Sequence, residues 1–219
     1  MLIAVPLSDS NFEENLELCK RGGADIIELR VDLFQNKDPE HVLELLNRVH
    51  QAGLKTILTI RSPEEGGHLV EKRLDIFREV SPYSDYTDIE LSSQDIISEV
   101  RDIVKQSGKR LIVSYHNFEL TPPSWILKEV FREARRWSAD IVKVSVMARS
   151  YEDTAKLLCL GKEEDGEKIL IAMGEWGRLS RIAGPVFGSV ITYSFVGSAV
   201  APGQMDLESL RQVLRLLFT

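Results

Sequence analysis

Lys143 is the residue whose type and position most require a chemical explanation. It lies between valines in DIVKVSVM (140–147), a run that is typical of a buried strand. Lysine is almost never fully buried unless it is paired, so one explanation is an ion pair with Asp88 or Glu90. The other is a desolvated amine whose pKa is lowered by burial and by nearby cations. Such a neutral amine attacks carbonyl carbons and forms imines.

His116 is the second candidate for chemistry, because it ends the predicted strand RLIVSYH (110–116) on the same face as Ser114. A single histidine is more often structural than catalytic. We favour catalysis here because the residue shares an interior with Lys143 and because its pKa range suits proton transfer. Glu65 precedes Gly66 and Gly67, which predict a mobile loop that could bring its carboxylate near the imidazole. The other histidines are interpreted as structural or solvated: His41, His50 and His68.

Further polar residues lie near the carboxyl ends of predicted strands, where barrel enzymes place their chemistry. Glu28 and Arg30 share one face of IIELRV, and Arg61 follows TILTI. Arg181 lies between glycines after the seventh strand, where an arginine can bind a carboxylate through two hydrogen bonds; an exposed arginine is the alternative. The last loop, VGSAVAPGQMD, resembles a lid with Gln204 as its polar contact, or alternatively a cradle for a phosphate.

Short β-rich runs alternate with longer helical patterns, which implies parallel strands joined by right-handed crossovers. Eight such units predict a single (β/α)8 barrel domain over residues 1–219. An open doubly wound sheet would need a glycine-rich turn after the first strand, and PLSDSN has no glycine. The strands are expected to begin at Leu2, Asp25, Lys55, Tyr86, Arg110, Asp140, Lys168 and Ser189. The helices are expected at 11–21 (capped by Asn11 or Ser10), 39–52, 69–80, 94–106, 123–137, 151–160, briefly near 177–182, and at 206–217.

Composition limits the partners of the chain. It has 219 residues, 43% hydrophobic and 28% charged, with a formal net charge of −7. This balance argues against a nucleic-acid partner but not against a small anionic substrate, since a pocket can be locally basic. The N-terminal apolar run is too short for a signal peptide, and no run approaches the roughly 20 residues that span a bilayer. We therefore expect a cytoplasmic protein with no membrane partner.

The two cysteines, Cys19 and Cys159, fall in amphipathic helical patterns. We expect both to be buried or half-buried small hydrophobes. A disulfide framework would need more cysteines, and a metal site would need clustered ligands. No metal is therefore expected. No organic cofactor is expected either, because a lysine that forms an imine supplies the electron sink itself.

Six segments, in chain order, resemble the motifs of the type I 3-dehydroquinate dehydratase family. They are ELRVD (28–32), TIRSPEEGG (59–67), SYHNF (114–118), DIVKV (140–144), MGEWGRLSR (173–181) and APGQ (201–204). The resemblance implies dehydration of 3-dehydroquinate, the third step of the shikimate pathway, by a homodimer that needs no cofactor. It implies that Lys143 forms the imine, that His116 is the general acid/base and that Glu65 supports it. It implies a substrate-binding set of Glu28, Arg30, Arg61, Arg181 and Gln204.

One position departs from the family. Val200 stands where the family commonly has serine, so that hydroxyl contact is missing or comes from another residue such as Ser198.

Two other functions compete with this interpretation. A class I aldolase or transaldolase would share the barrel and the lysine but would need a phosphate site, and no clear glycine-rich phosphate loop follows the seventh strand. A non-catalytic barrel that binds a small acid would not need a neutral amine. A purely structural barrel would have a mostly aliphatic interior, whereas Lys143, His116 and two arginines are placed inside this one.

Overall fold

A computed structural model describes residues 1–199 and 201–218 of the chain. These residues contain nine strands, and every strand pairing is parallel. The strands are β1 (Leu2–Leu7), β2 (Ile26–Arg30), β3 (Lys55–Thr59), β4 (Tyr86–Glu90), β5 (Arg110–Asn117), β6 (Ile141–Met147), β7 (Glu167–Met173), β8 (Ile191–Phe195) and β9 (Met205–Asp206). All eight predicted strands are present. The two-residue β9, which pairs with β8, was not predicted.

The sheet curls so that its first and last long strands meet. The order is β7-β6-β5-β4-β3-β2-β1-β8-β9, and β7 approaches β8 through a bridge between Lys168 and Ser189. The Val190 N–H donates to the Lys168 carbonyl at 2.9 Å, and the Leu170 N–H donates to the Ser189 hydroxyl at 3.1 Å. The predicted (β/α)8 barrel is therefore confirmed.

The helices alternate with the strands as predicted, with three shifted ends. They are α1 (Phe12–Gly22), α2 (Pro39–Gln51), α3 (Arg73–Val80), α4 (Ile97–Gln106), α5 (Ser124–Arg136), α6 (Tyr151–Glu163), α7 (Arg178–Ala183) and α8 (Leu207–Leu217). Helix α3 begins four residues later than predicted because Lys72 has a left-handed backbone with φ 55°. Helix α4 also begins later, after turns over residues 94–96, and α6 extends three residues further. Asn11 does precede α1, but its backbone is left-handed and its side chain makes no capping hydrogen bond.

Successive side chains of each strand point to opposite faces of the sheet, so the barrel has one apolar layer outside the strands and another inside them. Outward-facing residues such as Leu29, Val142 and Val144 pack against the helices. Inward-facing residues near the amino ends, such as Ile26, form a second cluster inside the barrel. The next inward positions towards the carboxyl ends are polar, and these are Glu28, Thr59, Asp88, Ser114 and Lys143. The predicted parity of the strands is thus confirmed.

At the amino end of the barrel, three aspartates tie neighbouring strands together. Asp25, Asp85 and Asp140 precede β2, β4 and β6, and each accepts the N–H of a residue in the preceding strand. Each also pairs with a basic side chain from a helix. In the order of the three aspartates, the N–H donors are Ile3, Thr56 and Leu111, at 2.8, 2.9 and 2.6 Å. The basic partners, in the same order, are Arg211, His50 and Lys105, at 3.1, 3.0 and 2.7 Å. We call these three carboxylates, with their partners, the amino-end clamps.

The two cysteines differ from each other. Cys19 is buried in α1 as expected, whereas Cys159 is exposed, because it lies on the face of α6 that turns away from the barrel. Among the residues that the structure describes, no helix is long and apolar enough to cross a membrane.

Candidate active site

A cavity opens at the carboxyl ends of the strands, and all eight residues selected from the sequence line it. They come from β2, from β5 and β6, from α7 and from the segments that follow β3 and β8. These residues are Glu28, Arg30, Arg61, Glu65, His116, Lys143, Arg181 and Gln204. The fold therefore brings together positions that lie as far apart in the chain as residues 28 and 204.

Lys143 is buried in β6 with its amine among three oxygen atoms. Its Nζ donates to Asp88 Oδ2 at 2.8 Å and to the Tyr193 hydroxyl at 3.1 Å, and lies 3.5 Å from Glu28 Oε1. The same Nζ is 4.4 Å from the centre of the Tyr193 ring. An ammonium has three N–H bonds, so this arrangement suits the charged form of the lysine.

The pKa of Lys143 is raised, whereas the sequence predicted a lowered one. Burial acts to lower this pKa, but the negative charges around the amine, chiefly that of Asp88, outweigh burial. The ion pair with Asp88 that was considered as the alternative is thus present. Glu90 does not take part in it, because its carboxylate binds Arg61 and Arg73. The amine must lose a proton before it can act as a nucleophile.

His116 is held by Glu65, as the sequence predicted. Its Nδ1 lies 2.8 Å from Glu65 Oε2, which also accepts the backbone N–H of His116 at 2.9 Å. The Ser92 hydroxyl donates to the other carboxylate oxygen at 2.6 Å. Glu65 is 5% exposed and ends a short 3-10 turn, Pro63–Glu65, so no loop movement is needed to bring it to the imidazole. This contact leaves Nε2 as the nitrogen available to a bound molecule.

The environment favours a neutral imidazole at His116. Burial lowers its pKa well below 6.5, and the positive charges of Arg61 and Lys143 act in the same direction. Burial raises the pKa of Glu65 to about 7, against the hydrogen bond from Ser92. A neutral histidine close to neutral pH can accept a proton.

Two of the predicted substrate-binding arginines are already paired with carboxylates. Arg61 donates to Glu90 Oε1 at 2.7 Å and to the Ser114 hydroxyl at 2.9 Å, and its second terminal nitrogen lies 3.1 Å from Asp88 Oδ2. Arg30 binds both oxygens of Asp32, at 2.9 and 2.7 Å. Both guanidinium groups are therefore held rigidly at the cavity wall.

Arg181 has a different environment. It is 1% exposed, so the alternative of a solvated arginine is wrong. Its nitrogens donate to the backbone carbonyls of Gly203, Tyr193 and Pro202 at 3.1, 3.2 and 3.4 Å. No carboxylate of the described residues pairs with it, and burial lowers its pKa to about 10. A buried cation without an anion, at the wall of a cavity, is suited to bind an anionic group of a ligand.

The last loop contacts the cavity through Ala201 and Gln204, and the Ala201 N–H donates to Gln204 Oε1 at 3.2 Å. Gly203, with φ 75°, packs so closely that a Cβ atom there would lie 2.2 Å from the Gly174 carbonyl oxygen. A side chain at this position would displace the loop. Val200 lies outside the described residues.

Sequence reasoning missed Tyr193 and Ser145, both of which line the cavity. Alternation puts Ser145 on the same inward face of β6 as Lys143, although it was not selected as a site residue, and the same rule applied to β8 puts Tyr193 inside the barrel. Ser145 is 3% exposed, and its hydroxyl makes no hydrogen bond with the other described residues. Ser198, which was suggested as the replacement hydroxyl, is exposed and does not line the cavity. Ser145 is therefore the better placed of the two serines.

The barrel and its charged cavity define an enzyme of the (β/α)8 class. The family model described as type I 3-dehydroquinase matches residues 3–219, and the chain belongs to this family.

Individual relatives agree with this membership. The chain is 56% identical over 218 residues to a 3-dehydroquinate dehydratase of Aquifex aeolicus, covering 100% of this chain and 99% of the relative. The crystal structure of the Aquifex aeolicus enzyme superposes with a TM-score of 0.96 over 100% of this chain and 99% of that one. A 3-dehydroquinate dehydratase of Hydrogenobaculum is 49% identical over 218 residues, with 100% and 99% coverage. A type I enzyme of Clostridium difficile, solved with covalently modified comenic acid, is 29% identical, with a TM-score of 0.90 and coverage of 99% and 92%.

Proposed function

We propose that the protein removes water from 3-dehydroquinate to give 3-dehydroshikimate, the third step of the shikimate pathway, through an imine on Lys143. The observation that carries the proposal is a buried lysine amine that shares one cavity with a histidine whose pKa is lowered and with a buried arginine that pairs with no carboxylate of the described residues. The relatives named 3-dehydroquinate dehydratase supply the identity of the substrate.

Arg181 is the proposed anchor for the substrate carboxylate. Its burial and the absence of a carboxylate partner among the described residues favour a charge-assisted pair with the ligand. Glu28, Arg30 and Arg61 would contact the ring hydroxyls, since their own partners hold them rigidly at the wall. Gln204 would contact the substrate from the last loop.

The covalent step begins when neutral Lys143 attacks the ring ketone carbon. The proton that the Lys143 ammonium gave up returns to the carbinolamine hydroxyl, which leaves as water, and the product is a protonated imine. This cation withdraws electrons from the neighbouring carbon and makes its C–H bond more acidic. The lysine itself supplies the electron sink, so the chemistry requires no organic cofactor.

His116 would manage the protons of the elimination. Its neutral imidazole takes the proton from the carbon next to the imine, and an enamine forms. The enamine expels the β-hydroxyl, and the imidazolium returns its proton to the leaving oxygen, so that one water departs. Hydrolysis of the product imine then frees Lys143. Glu65 keeps the imidazole oriented through Nδ1.

Reductive trapping tests the covalent step. The protein is incubated with 3-dehydroquinate and borohydride, its intact mass is measured and the modified peptide is mapped. We expect one adduct at Lys143 and none at Lys168, a matched buried lysine whose Nζ donates to the Gly161 carbonyl at 2.9 Å. Lys143→Ala should give no adduct. Full activity without an adduct would exclude the imine mechanism.

A histidine substitution tests the acid/base step separately. His116→Ala should still form the adduct but stall turnover, because only proton transfer is removed. His41→Ala is the control, since His41 lies outside the cavity, 3.8 Å from Asp9. A wild-type turnover rate in His116→Ala would refute the proposed role of this histidine.

Two further expectations stay predictions. The first is that the protein forms a homodimer, which sedimentation equilibrium can measure. The second is that it is located in the cytoplasm.

A further inference from the structure

Tyr193 is a buried tyrosine that touches the reactive amine, and the mechanism above gives it no role. It lies in β8, is 4% exposed and lines the cavity. Its hydroxyl is 3.1 Å from Lys143 Nζ and 3.4 Å from Glu28 Oε1. The hydroxyl therefore stands between an ammonium and a carboxylate.

We propose that the Tyr193 hydroxyl relays a proton from the Lys143 ammonium to Glu28 and so generates the neutral amine that attacks the substrate. The inference rests on the proposed function, because it supplies a step that imine formation requires. It makes Tyr193 a catalytic residue, since its hydroxyl contacts the reacting nitrogen.

The resting amine needs such a step because it is held as an ammonium by the surrounding carboxylates. An ammonium has no lone pair, so it cannot attack a carbonyl carbon. His116 is engaged by Glu65, and no hydrogen bond links it to Lys143 within the described residues. The groups in direct contact with Nζ are therefore the candidates for the proton acceptor.

Asp88 is a poor acceptor for this proton although it is the nearest carboxylate. Its oxygens already accept from the Ser114 hydroxyl at 2.6 Å and pair with Arg61 at 3.1 Å. Burial acts to raise the pKa of Asp88, but Arg61 and Lys143 outweigh burial and hold it far below its usual range. Asp88 therefore keeps its negative charge and serves to position the amine.

Glu28 is the other carboxylate within reach. Its Oε1 accepts from the Thr59 hydroxyl at 2.9 Å. The separation of 3.5 Å from Lys143 Nζ is an ion-pair contact without hydrogen-bond geometry. The hydrogen-bonded route from Nζ to Glu28 therefore runs through Tyr193.

The phenol is in the protonation state that a relay requires. Burial raises the pKa of Tyr193, and the negative charge of Glu28 raises it further. The neutral hydroxyl can accept one hydrogen bond and donate another at the same time. In the relay, one Nζ–H bond breaks as the phenol oxygen gains that proton, and the original phenol O–H bond breaks as its proton moves to Glu28 Oε1. The products are a neutral amine, a neutral phenol and a protonated Glu28.

The test is the single-turnover rate of imine formation, followed by quenching with borohydride at timed intervals. Tyr193→Phe keeps the ring beside Nζ and removes only the hydroxyl. We expect the rate at saturating 3-dehydroquinate to fall about 10²-fold, at the lower end of the usual contribution of positioned proton transfer. Tyr86→Phe is the matched control, because Tyr86 is also a buried tyrosine inside the barrel but lies outside the cavity; its rate should stay within twofold of wild type.

A pH profile separates the relay from simple stabilisation of the ammonium. If the hydroxyl only stabilised the charged amine, Tyr193→Phe would move the acid limb of imine formation to lower pH and leave the plateau rate unchanged. The relay instead predicts a lower plateau. An unchanged plateau, with or without a shifted limb, would overturn the inference.

A second variant covers any effect of Tyr193→Phe on folding. Glu28→Gln removes the final acceptor and should also lower the plateau rate at saturating substrate. Because the two residues act in series, the double variant should be no slower than the slower single variant, whereas multiplied losses would contradict the relay. A wild-type adduct at Lys143 together with an unchanged rate in Tyr193→Phe would refute the relay alone. An active wild type without any adduct would instead exclude the imine mechanism of the proposed function.

Discussion

The two ends of the barrel use the same types of charged residue in opposite ways. At the amino end, the three clamps are half-buried carboxylates, and each has a backbone N–H and a basic side chain as partners. At the carboxyl end, Lys143, Asp88 and Glu90 are almost fully buried, and Lys143 lines a cavity. There, Glu65 contacts only one of the two ring nitrogens of His116. Among the described residues, the Arg181 guanidinium has only backbone carbonyls as partners.

This difference shows how the fold separates stability from chemistry. Charges with complete sets of partners near solvent join strands at modest cost. Buried charges with incomplete partners are costly and are characteristic of functional sites. Substitutions at the two ends should therefore affect different measurements.

Lys143→Met should cause the largest loss, and it should appear in activity. Removal of the nucleophile should lower kcat by roughly 10⁴-fold or more. The free energy of unfolding should fall by less than the roughly 3–5 kcal/mol of a broken buried ion pair, because Asp88 keeps Arg61 and Ser114 as partners. Steady-state assays and urea denaturation measure the two effects. A large loss of stability with activity preserved would reverse the contrast between the two ends.

Arg181→Lys should lower kcat/KM about 10²-fold, mainly through KM, because lysine cannot pair with a carboxylate through two parallel bonds. The exposed Arg178 on the same helix provides the control, and Arg178→Lys should leave KM unchanged. An unchanged KM in Arg181→Lys would mean that another group binds the substrate carboxylate.

Glu65→Gln should reveal the cost of a buried carboxylate through the dependence of stability on pH. The pKa of Glu65 is raised from 4.5 to about 7, chiefly by burial. The stability that this group contributes is thus complete below pH 4.5 and is lost as the pH rises through 7. Glutamine does not titrate, so its stability has no such dependence on pH. As the pH rises from 5 to 8, the free energy of unfolding of the variant should therefore gain about 2 kcal/mol relative to that of the wild type. Urea denaturation at both pH values measures this gain, and equal differences would mean that Glu65 titrates normally.

Asp85→Asn should have the smallest effect, and it should appear in stability alone. Weakening the bonds to the Thr56 N–H and to His50 should cost about 1 kcal/mol. Burial acts to raise the pKa of Asp85, but these bonds outweigh burial and lower it from 3.8. The contribution is therefore present above pH 3.8 and is lost as the pH falls below it, so the two proteins should converge in acid. A change in kcat would show that the amino-end clamps also influence the cavity.

Several features of the fold followed from the sequence because they depend on local pattern. Strand–helix alternation predicted the barrel, and strand parity placed Lys143, His116 and Glu28 inside it. The ends of α3 and α4 were less accurate, since single backbone conformations such as that of Lys72 depend on their surroundings. Cys159 was misjudged because an amphipathic pattern does not define the edge of the buried face.

The sequence by itself determined eight of the residues that line the cavity and, through six ordered motifs, the family. Only the tertiary structure decided which side chains touch. It showed that Lys143 meets Asp88 and is held as an ammonium, that Arg181 has no carboxylate partner among the described residues, and that Tyr193 joins Lys143 to Glu28. The physical reason is that the two kinds of property depend on residues at different separations along the chain. Strand parity is a property of neighbouring residues, whereas the sign of a pKa shift depends on contacts within a few ångströms between groups far apart in the chain.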